Sequence, residues 1–106
     1  MAVPTKQDAQ MKASLQSGPV VAMVNAGGTD FMYYTGGILN SSSCGDQVNH
    51  AVVIVGFSSD DDGNYYIVRN SWGADWGEQG YIRVAAGQDG SGVCGILTYN
   101  ARPTTN

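Results

Sequence analysis

The chain is poor in charge and poorer still in positive charge. Only 13% of its 106 residues are charged, against about 25% in an average soluble protein. The five Lys and Arg, at 6, 12, 69, 83 and 102, are scattered and form no basic stripe to neutralise a phosphate backbone, so nucleic acid is not an expected partner. No apolar run approaches the ~20 residues that cross a bilayer, and the first residues lack the basic-then-apolar profile of a secretion signal, so no membrane association is expected. One histidine and two cysteines are too few for a closed zinc site, which takes about four ligands. Asp60, Asp62 and Asn64 alternate like calcium ligands, but the positions where such a loop needs Gly and Glu hold Tyr65 and Ser71. The expectation is a solvated turn and no metal. Gly90-Ser91-Gly92 does not link a strand to a helix as a phosphate loop would, and reads as a turn.

Glycine, by contrast, is abundant: fifteen residues, about twice the average share of roughly 7%, placed between short apolar runs. That pattern favours strands and turns and excludes coiled coils and helix bundles. The 42% apolar content is sufficient for one packed core, and the length fits a single domain over residues 1–106. Thr5 and Asp8 are spaced close to a capping box, and a helix is expected from about 6 to 17, stopped by Gly18-Pro19. Val20 to Asn25 reads as a core strand, Asp30 to Tyr34 as one helical turn with Phe31 and Tyr34 on one side, and 40–46 as a loop holding Cys44. His50 to Phe57 is the strongest strand signal and Tyr65 to Asn70 another; with the Asp-rich turn between them they make a hairpin. Tyr81 to Val84 and Gly95 to Tyr99 supply two more short strands, and Ala101 to Asn106 a peripheral tail. The fold class is α+β, mainly β: an antiparallel sheet curled around one core with one short N-terminal helix at its side.

His50 opens the best strand and Asn70 ends the next. If the hairpin turns near residues 60 to 62, positions whose numbers sum to about 120 face each other, which makes these two cross-strand neighbours. An asparagine oxygen can then orient the imidazole by accepting a ring N–H, expected to be Nδ1–H, and Trp72 can lie over the pair and keep water from it. From the residues alone, a structural histidine and an oriented base both stay open.

Two segments decide between them. Val48-Asn49-His50-Ala51-Val52-Val53-Ile54-Val55-Gly56, and Tyr66 to Arg83 with Asn70-Ser71-Trp72-Gly73, Trp76-Gly77 and Gly80-Tyr81, resemble the histidine and asparagine segments of papain-like cysteine proteases. The resemblance begins at Gly18-Pro19-Val20, passes through Tyr34-Thr35-Gly36-Gly37-Ile38, reaches Cys94-Gly95-Ile96 and covers nearly the whole chain. It implies the right-hand, β-barrel-like half of the papain fold. It further implies that His50 is the general base and Asn70 its orienting partner, supported by Trp72, and that Met23, Val48, Asn49 and, less directly, Tyr99 line the pocket for the second substrate residue. Cys44 and Cys94 match the cysteines that form a disulfide in that half. Such a bridge closes a loop of about 50 residues, stabilises by roughly 3 to 4 kcal/mol in the chain-entropy description and implies a parent protein that is secreted or lysosomal/vacuolar.

The family's nucleophilic cysteine and its oxyanion-hole glutamine lie in the other half, and neither cysteine here has the nucleophile's Ser-Cys-Trp context. A nucleophilic Cys44, six residues from His50, is the alternative to the bridge. No metal or organic cofactor is implied. The expected role is therefore a protease half that needs a separate N-terminal half and is inactive on peptides alone. The rival expectation is a non-catalytic module whose vacated face binds another protein or a second copy.

Overall fold

The computed structural model describes residues 7–40, 44–45, 47–61, 63–87 and 90–101. Helix α1 spans Asp8–Leu15 and buries Met11 and Leu15. It is shorter than expected, and the capping box does not start it. Gln7 is the N-cap and makes no side-chain cap bond; Thr5 lies outside the described residues. Asp8 instead turns inward, where its carboxylate accepts bonds from the Tyr66 hydroxyl and the Gly87 N–H (2.9 Å) and pairs with Lys12 Nζ (3.0 Å). A sequence element resembling a local cap thus serves as a tertiary tie between α1, the sheet and the segment after it.

After α1 come β1 (Val20–Val24), a one-turn helix α2 (Thr29–Met32), β2 (Ile38–Leu39), β3 (His50–Asp60), β4 (Gly63–Arg69), β5 (Tyr81–Ala85), a 3₁₀ turn at Val93–Gly95 and β6 (Asn100–Ala101). They form one six-stranded sheet in the order β2-β5-β4-β3-β1-β6. Two corrections to the sequence reading follow. The sheet is mixed, because β2 runs parallel to β5. It is also open, with the two-residue strands β2 and β6 at opposite edges, so it resembles a barrel only loosely.

The residues 95–99 form no strand. Gly95, Ile96 and Leu97 are all buried in succession, which a one-sided strand with its two-residue period cannot do. Tight turns hold them, with Ile96 N–H on the Val93 carbonyl and Thr98 N–H on that of Gly95. The last strand comes later: Asn100 and Ala101 pair with Ala22 and Val21, so the expected tail is tied at its first residue, and its remainder, 102–106, lies outside the described residues.

The β3/β4 hairpin is present, with Asp60 paired to Gly63 at its turn end. Its register differs from the sequence arithmetic: Val53 faces Arg69 and Ile54 faces Val68, and the register shifts once more between Ile54 and Gly56. His50 is paired with Val24 of β1. One core face takes Val20, Ala22 and Val24, Val52 and Ile54, Tyr66 and Val68, and Ile82 and Val84, alternate residues of β1, β3, β4 and β5, with Phe31 and Ile96 against them.

Candidate active site

His50 is the first residue of β3 and is half-buried. Asn70 follows the last residue of β4, is buried, and is fixed by its own backbone N–H on the Gly80 carbonyl (3.0 Å). Continuing the observed register by one step sets Asn70 against Val52, two positions from His50 and on the same side of the sheet. Diagonal neighbours of this kind are within side-chain reach, and His50 Nε2 lies 2.7 Å from Asn70 Oδ1.

A second bond identifies the atoms. The backbone N–H of Ser71 donates to the same Asn70 atom at 2.8 Å, and only the amide oxygen can accept it. The imidazole must therefore donate through Nε2–H, which leaves the lone pair of the neutral ring on Nδ1. This corrects the expected Nδ1–H tautomer and makes Nδ1 the basic nitrogen. Asn70 Nδ2 is buried and has no partner among the described residues.

Trp72 lies over the imidazole, with ring centroids 5.0 Å apart and planes 32° from parallel. Beneath them is Phe31, fully buried, which meets Trp72 edge-on at 5.6 Å and His50 at 6.4 Å. Trp76 completes the cluster at 5.1 Å from Phe31 and 5.4 Å from Trp72, and its indole N–H donates to the Met32 carbonyl at 3.1 Å. Phe31 and Trp76 were not singled out from the sequence as site residues. The available signal was α2, which carries Phe31 on its inward side, and the second Trp-Gly pair.

Behind Trp76 stands a polar brace. Arg83 donates to both Glu78 carboxylate oxygens through Nε (2.9 Å) and Nη2 (2.8 Å), and the Gly37 N–H binds one of them at 3.1 Å. Tyr34 packs on Trp76 at 5.6 Å while its hydroxyl donates to the Gly37 carbonyl. The Arg83 guanidinium holds the Glu78 carboxyl below the ordinary carboxylate range, aided by the Gly37 N–H and opposed by partial burial.

The other sequence candidates fall near one another at the His50 end of β1. Met23 is half-buried on β1 opposite Ala51, and its N–H donates to the Tyr99 carbonyl (3.3 Å). Val48 is half-buried and Tyr99 is exposed. Asn49 is exposed but not idle: its Oδ1 accepts the Ala26 N–H (3.0 Å) and its N–H binds the Val24 carbonyl. A depression of about 360 Å³ adjoins Asn70, lined by Arg69, Asn70, Ser71, Gly80 and Tyr81 among others and by none of these four candidates.

Cys44 and Cys94 are joined by a disulfide, with Cα atoms 4.9 Å apart. Asn25 donates to the Cys44 carbonyl at 2.6 Å and so anchors the bridge to the end of β1. With both cysteines of the chain bridged, neither offers a thiolate to His50.

Comparison with known proteins bears on what this oriented imidazole belongs to. The sequence matches the family described as papain family cysteine protease over residues 1–104. The chain belongs to that family. It is 45% identical over 105 residues to germination-specific cysteine protease 1 of Arabidopsis thaliana, covering 95% of this chain and 27% of the relative. To fruit bromelain of Ananas comosus it is 45% identical over 96 residues, covering 89% and 27%. Superposed on the bromelain protease of Ananas comosus in complex with the E64 inhibitor, it gives a TM-score of 0.90 at 40% identity, covering 99% of this chain and 49% of that one. The papain-family match thus takes in about a quarter of the length of these curated relatives and about half of the solved protease.

Proposed function

We propose that this chain is the base-bearing half of a papain-type cysteine endopeptidase. The observation that supports the reading is the 2.7 Å contact between His50 Nε2 and an Asn70 oxygen identified by the Ser71 N–H. The thiol comes from residues outside these 106, since both cysteines here are bridged. His50 Nδ1 takes its proton, and the imidazolium is held by Nε2–H on Asn70 while the Trp72 ring limits competing water. The thiolate attacks the peptide carbonyl carbon; as the C–N bond breaks, His50 gives its proton to the leaving amine and a thioester remains. His50 then takes a proton from water, the hydroxide adds to the thioester, and the carboxylic acid and the free thiol are released.

On this reading the partner is the thiol-bearing N-terminal half, the substrate is a peptide, and Met23, Val48, Asn49 and Tyr99 form a wall of the pocket for the second substrate residue, which favours an apolar side chain. The disulfide fits a parent protein that is secreted or vacuolar. A second reading rests on the exposed aromatic and apolar groups Met32, Tyr33, Trp72 and Tyr99: a non-catalytic face that binds another protein or a second copy.

The test is complementation. The chain alone leaves a dipeptide amide substrate uncleaved, and cleavage appears when the thiol-bearing half of a papain-family protease is added. In the mixture His50→Ala loses at least the ~10²–10⁴-fold that a positioned base contributes. Asn70→Ala removes a hydrogen bond to a charged group, worth about 1.5–3 kcal/mol, and slows turnover about ten- to a hundredfold. Cleavage by the unmixed chain that survives Cys44→Ala would refute the reading.

A further inference from the structure

We propose that this chain, without any thiol-bearing half, hydrolyses activated aryl esters with His50 as the nucleophile. The Ser71 N–H fixes Asn70 Oδ1 as the atom 2.7 Å from His50 Nε2, so the lone pair of the neutral ring sits on Nδ1. That lone pair is accessible. Among the described residues, the buried side-chain polar atoms without a partner belong to Asn70, Thr98 and Asn100. His50 Nδ1 makes no hydrogen bond to a described residue and is not one of those buried atoms, so it opens to solvent. Trp72, stacked over the imidazole at 5.0 Å, is 41% exposed and offers an aryl group an apolar face next to the ring. Both cysteines are bridged, so no thiol competes for the acyl group.

The leaving group sets the substrate class. Nδ1 attacks the carbonyl carbon and an N–C bond forms; the tetrahedral adduct then expels either the imidazole or the group that arrived with the acyl. A peptide nitrogen would have to leave as a strongly basic anion, so that adduct reverts and peptides stay intact. A nitrophenoxide is a far weaker base. Its C–O bond breaks, it carries off the electron pair, and an acylimidazolium remains whose charge is held by Nε2–H on Asn70 Oδ1. Water adds to the acyl carbon and gives one proton to solvent. The C–N bond then breaks with its pair returning to Nδ1, and the carboxylic acid departs.

This activity needs no second half, so it stands or falls apart from the peptidase reading. The probe is 4-nitrophenyl acetate in excess over the disulfide-intact chain, with equimolar N-acetylhistidine as the reference. The expected result is repeated release of nitrophenoxide per chain, at least about tenfold faster than the reference, because a hydrogen bond that strengthens as the ring becomes charged is worth about ten- to a hundredfold. His50→Gln, checked for the wild-type far-UV spectrum, is expected to abolish turnover. Asn70→Ala is expected to lower kcat about tenfold with KM unchanged, since the bond matters only once the ring carries charge. With 4-nitrophenyl trimethylacetate, whose hindered acyl group slows the second step, mass spectrometry of the unaltered chain should place one acyl group on His50, and hydroxylamine should remove it. Three outcomes would overturn the proposal: release no faster than with N-acetylhistidine, turnover that survives His50→Gln, or acyl groups found only on lysine or tyrosine side chains.

Discussion

Replacing Asp8 by alanine is expected to cost this chain about 2–4 kcal/mol. The Asp8 side chain is 12% exposed, and its carboxylate accepts from the Tyr66 hydroxyl, the Gly87 N–H and Lys12. Water can replace it at Gly87, which is exposed, and the Lys12 pair, four residues away on a helix surface, is worth only about 0.3–0.5 kcal/mol. Tyr66 is 1% exposed; its hydroxyl loses a charged acceptor that contributes about 1.5–3 kcal/mol. Against a total of roughly 5–15 kcal/mol for a domain of this size, the loss is severe. With a urea slope near 2 kcal/mol/M the midpoint falls by about 1–2 M. The Asp8→Ala and Tyr66→Phe changes should couple by about 1–2 kcal/mol in a double-mutant cycle, since each removes the same bond. Burial alone would raise the Asp8 pKa, but the Tyr66, Gly87 and Lys12 bonds outweigh it and hold it below the ordinary value. The folded state therefore binds this proton less readily than the unfolded chain. The contribution is complete above about pH 4 and is lost as pH falls through the lowered folded value. Asp8→Asn should flatten that part of the acid-denaturation profile. A loss under about 0.5 kcal/mol at pH 7, or an acid profile parallel to wild type, would refute the tie.

Non-reducing mass spectrometry should find neither Cys44 nor Cys94 alkylated, and the Cys44→Ala/Cys94→Ala double variant should lose about 3–4 kcal/mol from opening the long loop; two freely alkylated thiols would remove the compartment argument. Gly77→Ala should cost at least about 2 kcal/mol, because Gly77 has φ +59° and an added Cβ would sit 2.6 Å from the Tyr81 carbonyl oxygen and 3.0 Å from the Tyr34 ring. Gly37→Ala, at φ +83° with nothing within 4 Å, serves as the comparison for backbone strain without crowding, and a cost at Gly77 no larger than at Gly37 would show that crowding against Tyr81 and Tyr34 contributes nothing.

Composition and local pattern revealed most of the elements. The β-branched runs at Val20 and His50 are strands because their residues fit a pleated sheet, and the Asp-Gly turn between β3 and β4 is local chemistry. What could not be read locally was decided by tertiary contact. Asp8 looked like a capping residue and was claimed by Tyr66 and Gly87. Ile96 and Leu97 looked like a strand and were folded into successive turns beside Cys94, which is bridged to Cys44 and has φ +57°. The parallel pairing of β2 with β5 joins segments 45 residues apart, and no short-range signal carries it.

The site shows the same division. Residue type alone made His50 and Asn70 an ambiguous pair, and the register assumed for them was off by two positions. They nevertheless meet because a shift of two positions preserves the face of a sheet, whereas a shift of one would have sent the Asn70 side chain to the other side. The bulge between Ile54 and Gly56 lies between the turn and the site, so any one-residue change in the hairpin that the bulge does not absorb would separate base from orienter. Which ring nitrogen is basic was beyond the sequence altogether. It depends on the Ser71 N–H, a backbone donor whose direction is set by the chain leaving β4, and this donor leaves Nδ1 as the nitrogen with a lone pair.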